Sequence, residues 1–193
     1  MDDETRHQLA LDMLKEVIER DIEIPLKTFG SSMTPVICCG EWIVVRRALE
    51  SEIQVGDIII YQVGHTFVAH RVIRCVKKSG QTCFQVKGDA HLVSEGVLPA
   101  GQVIARVVSL KKGRRVISLE QPVWRRANRV IARYSSVVDM LYRRLPSRPD
   151  PTGPAGRLVT ALVRLPPRLL MAVGGLAASF SCSSERDTPN GEW

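Results

Sequence analysis

The hydrophobic and polar positions change their spacing twice along the chain. Residues 3–20 place apolar side chains three or four positions apart with charges between them, which predicts a short amphipathic helix. From about residue 40, six segments rich in β-branched residues follow, separated by turns that mostly contain glycine. These segments span 41–47, 56–63, 66–76, 82–87, 102–110 and 114–119. Short strands joined by tight turns predict a mainly β, antiparallel domain that closes or folds over on itself.

The helical spacing returns after Pro122. Apolar residues recur every three or four positions over 124–145, with arginines between them, which predicts a basic amphipathic helix. Residues 146–156 contain four prolines and two glycines and are typical of a linker. The chain is therefore predicted to have an N-terminal amphipathic helix (1–27), a β domain (28–120), a basic helical extension with a Pro/Gly linker (121–182) and a flexible tail (183–193).

The positive charge of the chain is concentrated in the extension. The 193 residues carry a formal net charge of +7, and residues 121–182 hold ten arginines, no lysine and two aspartates. Such a helix either packs its apolar stripe on the β domain or lies on an anionic membrane surface. Nucleic acid is not favoured as a partner, because no recognised binding module or aromatic platform accompanies the arginines.

Cysteine usage and hydropathy indicate the compartment. The five cysteines form no CxxC pair, and an odd count without a disulfide pattern suits a reducing environment. The chain opens with the acidic stretch MDDETRHQ, and it contains no run of about 18–20 uncharged apolar residues. With no signal peptide or transmembrane helix predicted, we expect a cytoplasmic or peripherally membrane-associated protein.

The stretch FGSSMTP at residues 29–35 places two serines between a glycine and a proline. A serine hydroxyl is a poor nucleophile near neutral pH and needs a neighbouring base. His70 lies inside a predicted strand, which would hold a base rigidly, although a strand histidine is also a common packing residue. A hairpin could bring Asp89 near His70 to fix its tautomer, but Gly-Asp is equally an ordinary turn. Lys77 and Lys78, at the end of a predicted strand, are interpreted as solvated charges beside a hairpin turn rather than as a catalytic base.

Four segments in order, GSSMTP, GEWIVVRR with VGDIIIY, VAHRVIR and FQVKGDA, together resemble the signal peptidase I family of membrane-associated serine proteases. The resemblance covers roughly residues 28–110. It implies a β domain of the LexA and signal peptidase type and a serine endopeptidase that cleaves precursor proteins or peptides through an acyl-enzyme. His70 stands where the common bacterial members have a lysine, as in the endoplasmic-reticulum and archaeal signal peptidases.

The resemblance also implies roles for individual residues. Ser32 would be the nucleophile, His70 the general base and Asp89 the orienting acid. Glu95 falls at the family's second acidic position, in place of an aspartate, as a supporting acid. Gly30 and Ser31 would shape the loop that stabilises the oxyanion, and no cofactor or metal is expected.

Two other functions remain open from the sequence. A LexA-like regulator that cleaves itself would need a DNA-binding unit, and only about thirty residues precede Ser32. A catalytically silent β module used for binding would have no need of Ser32, His70 and Asp89 in this order.

Overall fold

The computed structural model describes Glu16, Arg20 and residues 22–144. The predicted helix over 3–20 and the chain beyond residue 144 lie outside these residues, apart from Glu16 and Arg20. Within the described range there are eight strands: β1 (Ile24–Lys27), β2 (Trp42–Arg46), β3 (Ile58–Val63), β4 (Thr66–Lys78), β5 (Gln81–Lys87), β6 (Gly96–Pro99), β7 (Val103–Lys112) and β8 (Arg115–Ser118). Two short 3-10 turns (Glu50–Glu52 and Ala100–Gln102) and one α-helix, α1 (Pro122–Arg144), complete it.

The strands form one antiparallel sheet in the order β1-β2-β7-β3-β4-β5-β6, with β8 paired to β7. The predicted mainly β, antiparallel architecture with a helix after it is therefore confirmed. All six predicted strands are present with shifted ends, whereas β1 and β6 are additional. Both additional strands are four residues long, which is too short for an alternating pattern to stand out.

The sheet is buried on both faces, which explains the uninterrupted apolar run in β3. Successive side chains of a strand point to opposite faces. Accordingly, Ile58 and Ile60 pack in one core cluster with Val45 and Val107, while Ile59 packs in a second. That second cluster also holds Tyr61, Val72, Phe84, Val86 and Leu98.

The long strand β4 pairs with two different partners along its length. Its first half, Thr66–Arg71, pairs with β3, and its second half, from Arg71 onward, pairs with β5. A register shift between Val72 and Arg74 accompanies the change of partner. Residues 66–70 therefore keep one edge without a strand partner in the described sheet.

Helix α1 packs on the sheet against β4. Its buried residues are Asn128, Ile131, Ala132, Ser135, Asp139 and Tyr142. At Gly56 the approach is so close that a Cβ atom would lie 2.9 Å from the backbone nitrogen of Arg129. Within the described residues, α1 thus packs one face on the β domain, the first of the two arrangements that its sequence allows. No helix of the described chain has the length and apolar content needed to cross a membrane.

Candidate active site

Ser32 lies in the loop between β1 and β2, which is closed at its base and anchored in the core. The Thr28 hydroxyl lies 2.9 Å from the carbonyl oxygens of both Cys38 and Glu41, which share its one proton, and so joins the two ends of the loop. Met33, next to Ser32, is buried in the first core cluster. Gly30 has a φ of +87°, a left-handed conformation that favours glycine. The loop therefore presents Ser32, which is partly exposed, from a fixed backbone.

The β5–β6 connection holds this loop from the other side. The carbonyl oxygen of Ser32 accepts a hydrogen bond from the backbone N–H of Ala90 at 2.8 Å. A Cβ atom at Gly88 would lie 2.7 Å from that same oxygen and 2.9 Å from Nδ1 of His91. The contact therefore requires glycine at position 88, which gives the Gly-Asp dipeptide a role beyond that of a turn.

His70 is buried in β4 with one ring nitrogen held and the other free. Its Nδ1 lies 2.8 Å from the hydroxyl oxygen of Tyr61 and 3.0 Å from Oε2 of Glu95. Its Nε2 is buried and has no hydrogen-bond partner among the described residues. A carboxylate beside Nδ1 favours the tautomer with the proton on Nδ1, which leaves the lone pair on Nε2. In this tautomer Nε2 is the ring atom that can accept a proton, and in the described chain it makes no hydrogen bond with the Ser32 hydroxyl.

The surroundings of His70 disfavour its charged form. Burial lowers the pKa of His70, and the carboxylate of Glu95 opposes that effect only in part. Burial, and then the charge of Glu95, raise the pKa of Tyr61, so its hydroxyl stays protonated and donates to Oε2 of Glu95 at 3.0 Å. A histidine whose charged form is disfavoured is the kind of side chain that can accept a proton near neutral pH.

Asp89 is placed differently from the expectation. Its two carboxylate oxygens accept hydrogen bonds from Nε and Nη2 of Arg71, at 2.8 and 2.7 Å, and both residues are buried. Arg71 also donates to the carbonyl oxygen of Gly56 and to Oδ1 of Asn128 in α1, each at 2.9 Å. This corrects the expected contact between Asp89 and His70. Neighbouring strand residues point to opposite faces, so Asp89 meets Arg71 instead.

Glu95 is the acid that contacts His70. Its backbone N–H donates to the carbonyl oxygen of Val86 at 3.1 Å, which fixes the residue just before β6. Its side chain reaches His70 through Oε2 and Nδ1 of His91 through Oε1, each at 3.0 Å. The extra methylene of glutamate therefore does not keep the carboxylate from the imidazole.

The remaining loop residues have open backbone donors. Ser31 is exposed, and its carbonyl oxygen accepts a hydrogen bond from the backbone N–H of Thr34 at 3.1 Å. In the described part of the chain, the N–H groups of Ser31 and Ser32 donate no hydrogen bond, and the Ser32 hydroxyl has no partner. Ser32 and His70 are both tied to the β5–β6 connection, Ser32 through Ala90 and His70 through Glu95.

Ser32 also lines a mostly apolar cavity of about 410 Å³. The other walls come from β1, β2, β3, the start of β4 and the Ser32 loop, and include Leu26, Phe29, Met33, Ile60, Phe67 and Ala69. A larger and more polar cavity of about 730 Å³ lies between residues 47–50 and 100–104 and contains none of the site residues. Two strand edges without partners in the described sheet, β1 and residues 66–70, border the apolar cavity. Such edges can pair with an extended peptide.

No protein-family model matches this sequence, and no curated protein matches it. The assignment of function therefore rests on the site itself.

Proposed function

We propose that the protein is a serine endopeptidase of the signal peptidase I type, with a LexA and signal peptidase-like β domain. The observation that carries the proposal is the state of His70. Its Nδ1 is held by Glu95, while its Nε2 is buried and without a partner in the described chain. The Ser32 loop packs on the segment that delivers Glu95.

In the proposed reaction, Oγ of Ser32 attacks the carbonyl carbon of the scissile peptide bond and transfers its proton to Nε2 of His70. The N–H groups of Ser31 and Ser32 are free to stabilise the oxyanion. The C–N bond then breaks, His70 protonates the leaving amine, and the acyl group stays on Ser32 as an ester. Water then attacks the ester carbonyl as Nε2 of His70 takes its proton; the C–O bond to Ser32 breaks, and His70 returns that proton to Oγ of Ser32. Glu95 stabilises the imidazolium that forms in each half of the reaction.

The substrate class follows from the cavity and its edges. A polypeptide in extended conformation would pair with the free edge of residues 66–70 and place alternate side chains in the apolar cavity. The resemblance to signal peptidases implies small residues before the scissile bond of a precursor protein or peptide. The side-chain contacts in the cavity come from the aromatic and aliphatic residues Phe29, Met33 and Phe67.

Cleavage of a proteome-derived peptide library, read by mass spectrometry, tests this function without a known substrate. Wild type and Ser31→Ala, which removes the neighbouring hydroxyl as a matched control, should cleave a common set of peptides. Ser32→Ala and His70→Ala should fold and leave that set intact. Cleavage that survives in Ser32→Ala would contradict the proposal. A shortened chain in the intact-mass spectrum of wild type, absent in Ser32→Ala, would instead indicate the self-cleaving regulator.

We further propose that the outer face of α1 binds an anionic membrane surface. Opposite its buried face, the helix presents one stripe at alternating four- and three-residue spacing: Arg126, Val130, Arg133, Val137, Met140 and Arg144. The one acid of the helix, Asp139, is buried on the other side. Arginine interleaved with exposed aliphatic side chains suits phosphate headgroups above a shallow apolar layer.

Co-sedimentation with vesicles tests this partner. Replacing Arg126, Arg133 and Arg144 by glutamine should weaken binding to phosphatidylserine-containing vesicles about 100-fold, since each arginine near such a surface contributes about 1 kcal/mol. The matched control replaces three exposed basic residues of the β7–β8 hairpin by glutamine: Lys111, Arg114 and Arg115. Equal weakening by both triple variants, or binding to RNA and not to vesicles, would contradict the membrane proposal.

A further inference from the structure

His70, His91 and Glu95 form a cluster of three side chains, of which the proposed peptidase reaction uses two. Glu95 places one carboxylate oxygen 3.0 Å from Nδ1 of His70 and the other 3.0 Å from Nδ1 of His91. The two imidazole rings lie 5.7 Å apart, centroid to centroid, at 69° to each other. One ligand atom from each of the three residues lies within 4.8 Å of the other two. The reaction proposed above assigns no task to His91.

The backbone fixes all three residues independently. His70 belongs to β4 and pairs with Ile59. The backbone N–H of His91 donates to the carbonyl oxygen of Gly88 at 3.0 Å, and that of Glu95 donates to Val86 at 3.1 Å. The cluster opens to solvent on one side, because the side chains of His91 and Glu95 are 43% and 37% exposed. A solute can thus reach the cluster without any movement of the sheet.

Two imidazoles and one carboxylate are a typical ligand set for Zn²⁺. Bonds of about 2.0–2.2 Å to nitrogen and oxygen place tetrahedral ligand atoms about 3.3–3.5 Å apart, which side-chain adjustments of about 1 Å would reach here. Water would take the fourth position on the exposed side. Mg²⁺ and Ca²⁺ prefer sets of oxygen ligands, so two imidazoles select against them.

We propose that His70, His91 and Glu95 bind Zn²⁺ and that the bound ion switches the enzyme off. The switching part rests on the proposed function, whereas the binding part does not. A neutral His70 that binds Zn²⁺ through the lone pair of Nδ1 carries its ring proton on Nε2, so Nε2 has no lone pair left to accept the proton of Ser32. The ion also takes Glu95 away from the imidazolium that the carboxylate would stabilise. Zinc binding and catalysis therefore compete for the same two side chains.

Binding is measured first, by competition between the full-length protein and a chromophoric chelator for Zn²⁺. Wild type should bind one equivalent, and His91→Asn and Glu95→Gln should each lose at least about 10- to 100-fold in affinity, since changes to groups that only support a ligand already cost that much. His65→Asn, which removes an exposed histidine in the β3–β4 turn, is the matched control and should bind as wild type does. Unchanged affinity in His91→Asn, or equal loss in His65→Asn, would overturn the site.

The exposed cysteines require a separate control, because thiolates also bind zinc. The protein loaded with Co²⁺ should show ligand-field bands without a thiolate-to-cobalt charge-transfer band. A thiolate band that disappears in a Cys39→Ser, Cys75→Ser variant would assign the ion to those cysteines and overturn the proposal.

Inhibition is measured on the peptides that wild type cleaves. Zinc should inhibit wild type reversibly, with full recovery after addition of a chelator, and His91→Asn should resist inhibition while keeping its basal rate. Inhibition of His91→Asn equal to that of wild type would overturn the switch. If wild type cleaves no peptide, the proposed function fails, and the competition experiment still decides the metal site. If cleavage occurs and zinc does not bind, the metal site alone fails.

Discussion

The replacement of Asp89 by asparagine distinguishes a structural carboxylate from a catalytic one. The side chain keeps its size but loses its charge, and one of its two acceptor oxygens becomes an amide donor. Arg71, whose guanidinium is fully buried, then keeps its bonds to Gly56 and Asn128 and loses its only ion-pair partner among the described residues. The perturbation therefore leaves a positive charge without compensation between the sheet and α1.

The magnitude follows from the burial of the pair. Removing one partner of a buried, hydrogen-bonded ion pair costs about 3–5 kcal/mol, because the other charge stays desolvated. A domain has a total free energy of unfolding of about 5–15 kcal/mol, so the variant would lose a large part of its stability and could still fold. With an m-value of about 1.5 kcal/mol per M of urea, the midpoint of unfolding should fall by about 2–3 M.

Glu95→Gln is the matched variant, since it makes the same chemical change on an exposed carboxylate. Glu95 is 37% exposed, and its stability loss should stay below about 1 kcal/mol. Its kcat should fall by about 10²- to 10⁴-fold, because His70 loses the group that holds its tautomer and stabilises its charged form.

Urea titrations followed by circular dichroism give the unfolding midpoints of the Asp89→Asn and Glu95→Gln variants. Peptide cleavage without urea, where each variant is folded, gives their rates. The opposite pattern would refute the assignment: Asp89→Asn with wild-type stability and a collapsed kcat, beside Glu95→Gln with a wild-type rate. Asp89 would then be the orienting acid despite its bonds to Arg71.

Three further results are expected. Gly88→Ala should lower kcat/KM by about 100-fold, because its Cβ would displace the Ser32 loop. Gly101→Ala, whose Cβ meets nothing within 4 Å, should cleave as wild type does, and equal rates in the two variants would contradict the contact. Burial lowers the pKa of Lys87 from 10.5 to about 8, so the charged form costs folding energy that disappears as the pH rises. The stability of wild type relative to Lys87→Met should therefore increase by about 3 kcal/mol between pH 8 and 10.5 in urea titrations, and a flat difference would contradict this. Burial likewise lowers the pKa of His70, so kcat/KM should rise with pH through a midpoint below 6.5, and a midpoint above that value would contradict the neutral resting state.

The strands of the sheet could be predicted from the sequence because their cause is local. The run Ile58–Tyr61 is apolar throughout, and a strand covered on both faces needs apolar residues at every position. The helix from Pro122 follows from the same kind of periodicity, and its start coincides with a proline, which suits a first helical turn.

The partner of His70 could not be predicted in this way, because it depends on which face each residue occupies after a turn. Asp89 directly follows a Gly at the end of β5, and Glu95 follows six residues later, so chain distance favours Asp89 as the acid. The deciding signal was Arg71, the residue next to His70. A buried arginine requires a carboxylate on its own face, and strand alternation places that face opposite to the face of His70. Tyr61 offered a second signal, since the hairpin of β3 and β4 brings its side chain to the face of His70.

The β5–β6 connection contacts both the Ser32 loop and His70, which lie far apart in the sequence. Ala90 binds the Ser32 loop, and Glu95 binds His70. Ser94, between them, is held by α1: its backbone N–H donates to Oδ1 of Asp139 at 2.6 Å, and its carbonyl oxygen accepts from Nη2 of Arg143 at 2.8 Å. The inner face of α1 therefore supports the connection that aligns the proposed nucleophile, base and acid, while its outer face carries the arginines. A membrane that binds the outer face would act on a helix that also holds the β5–β6 connection. For this reason we expect lipid to influence kcat as well as localisation.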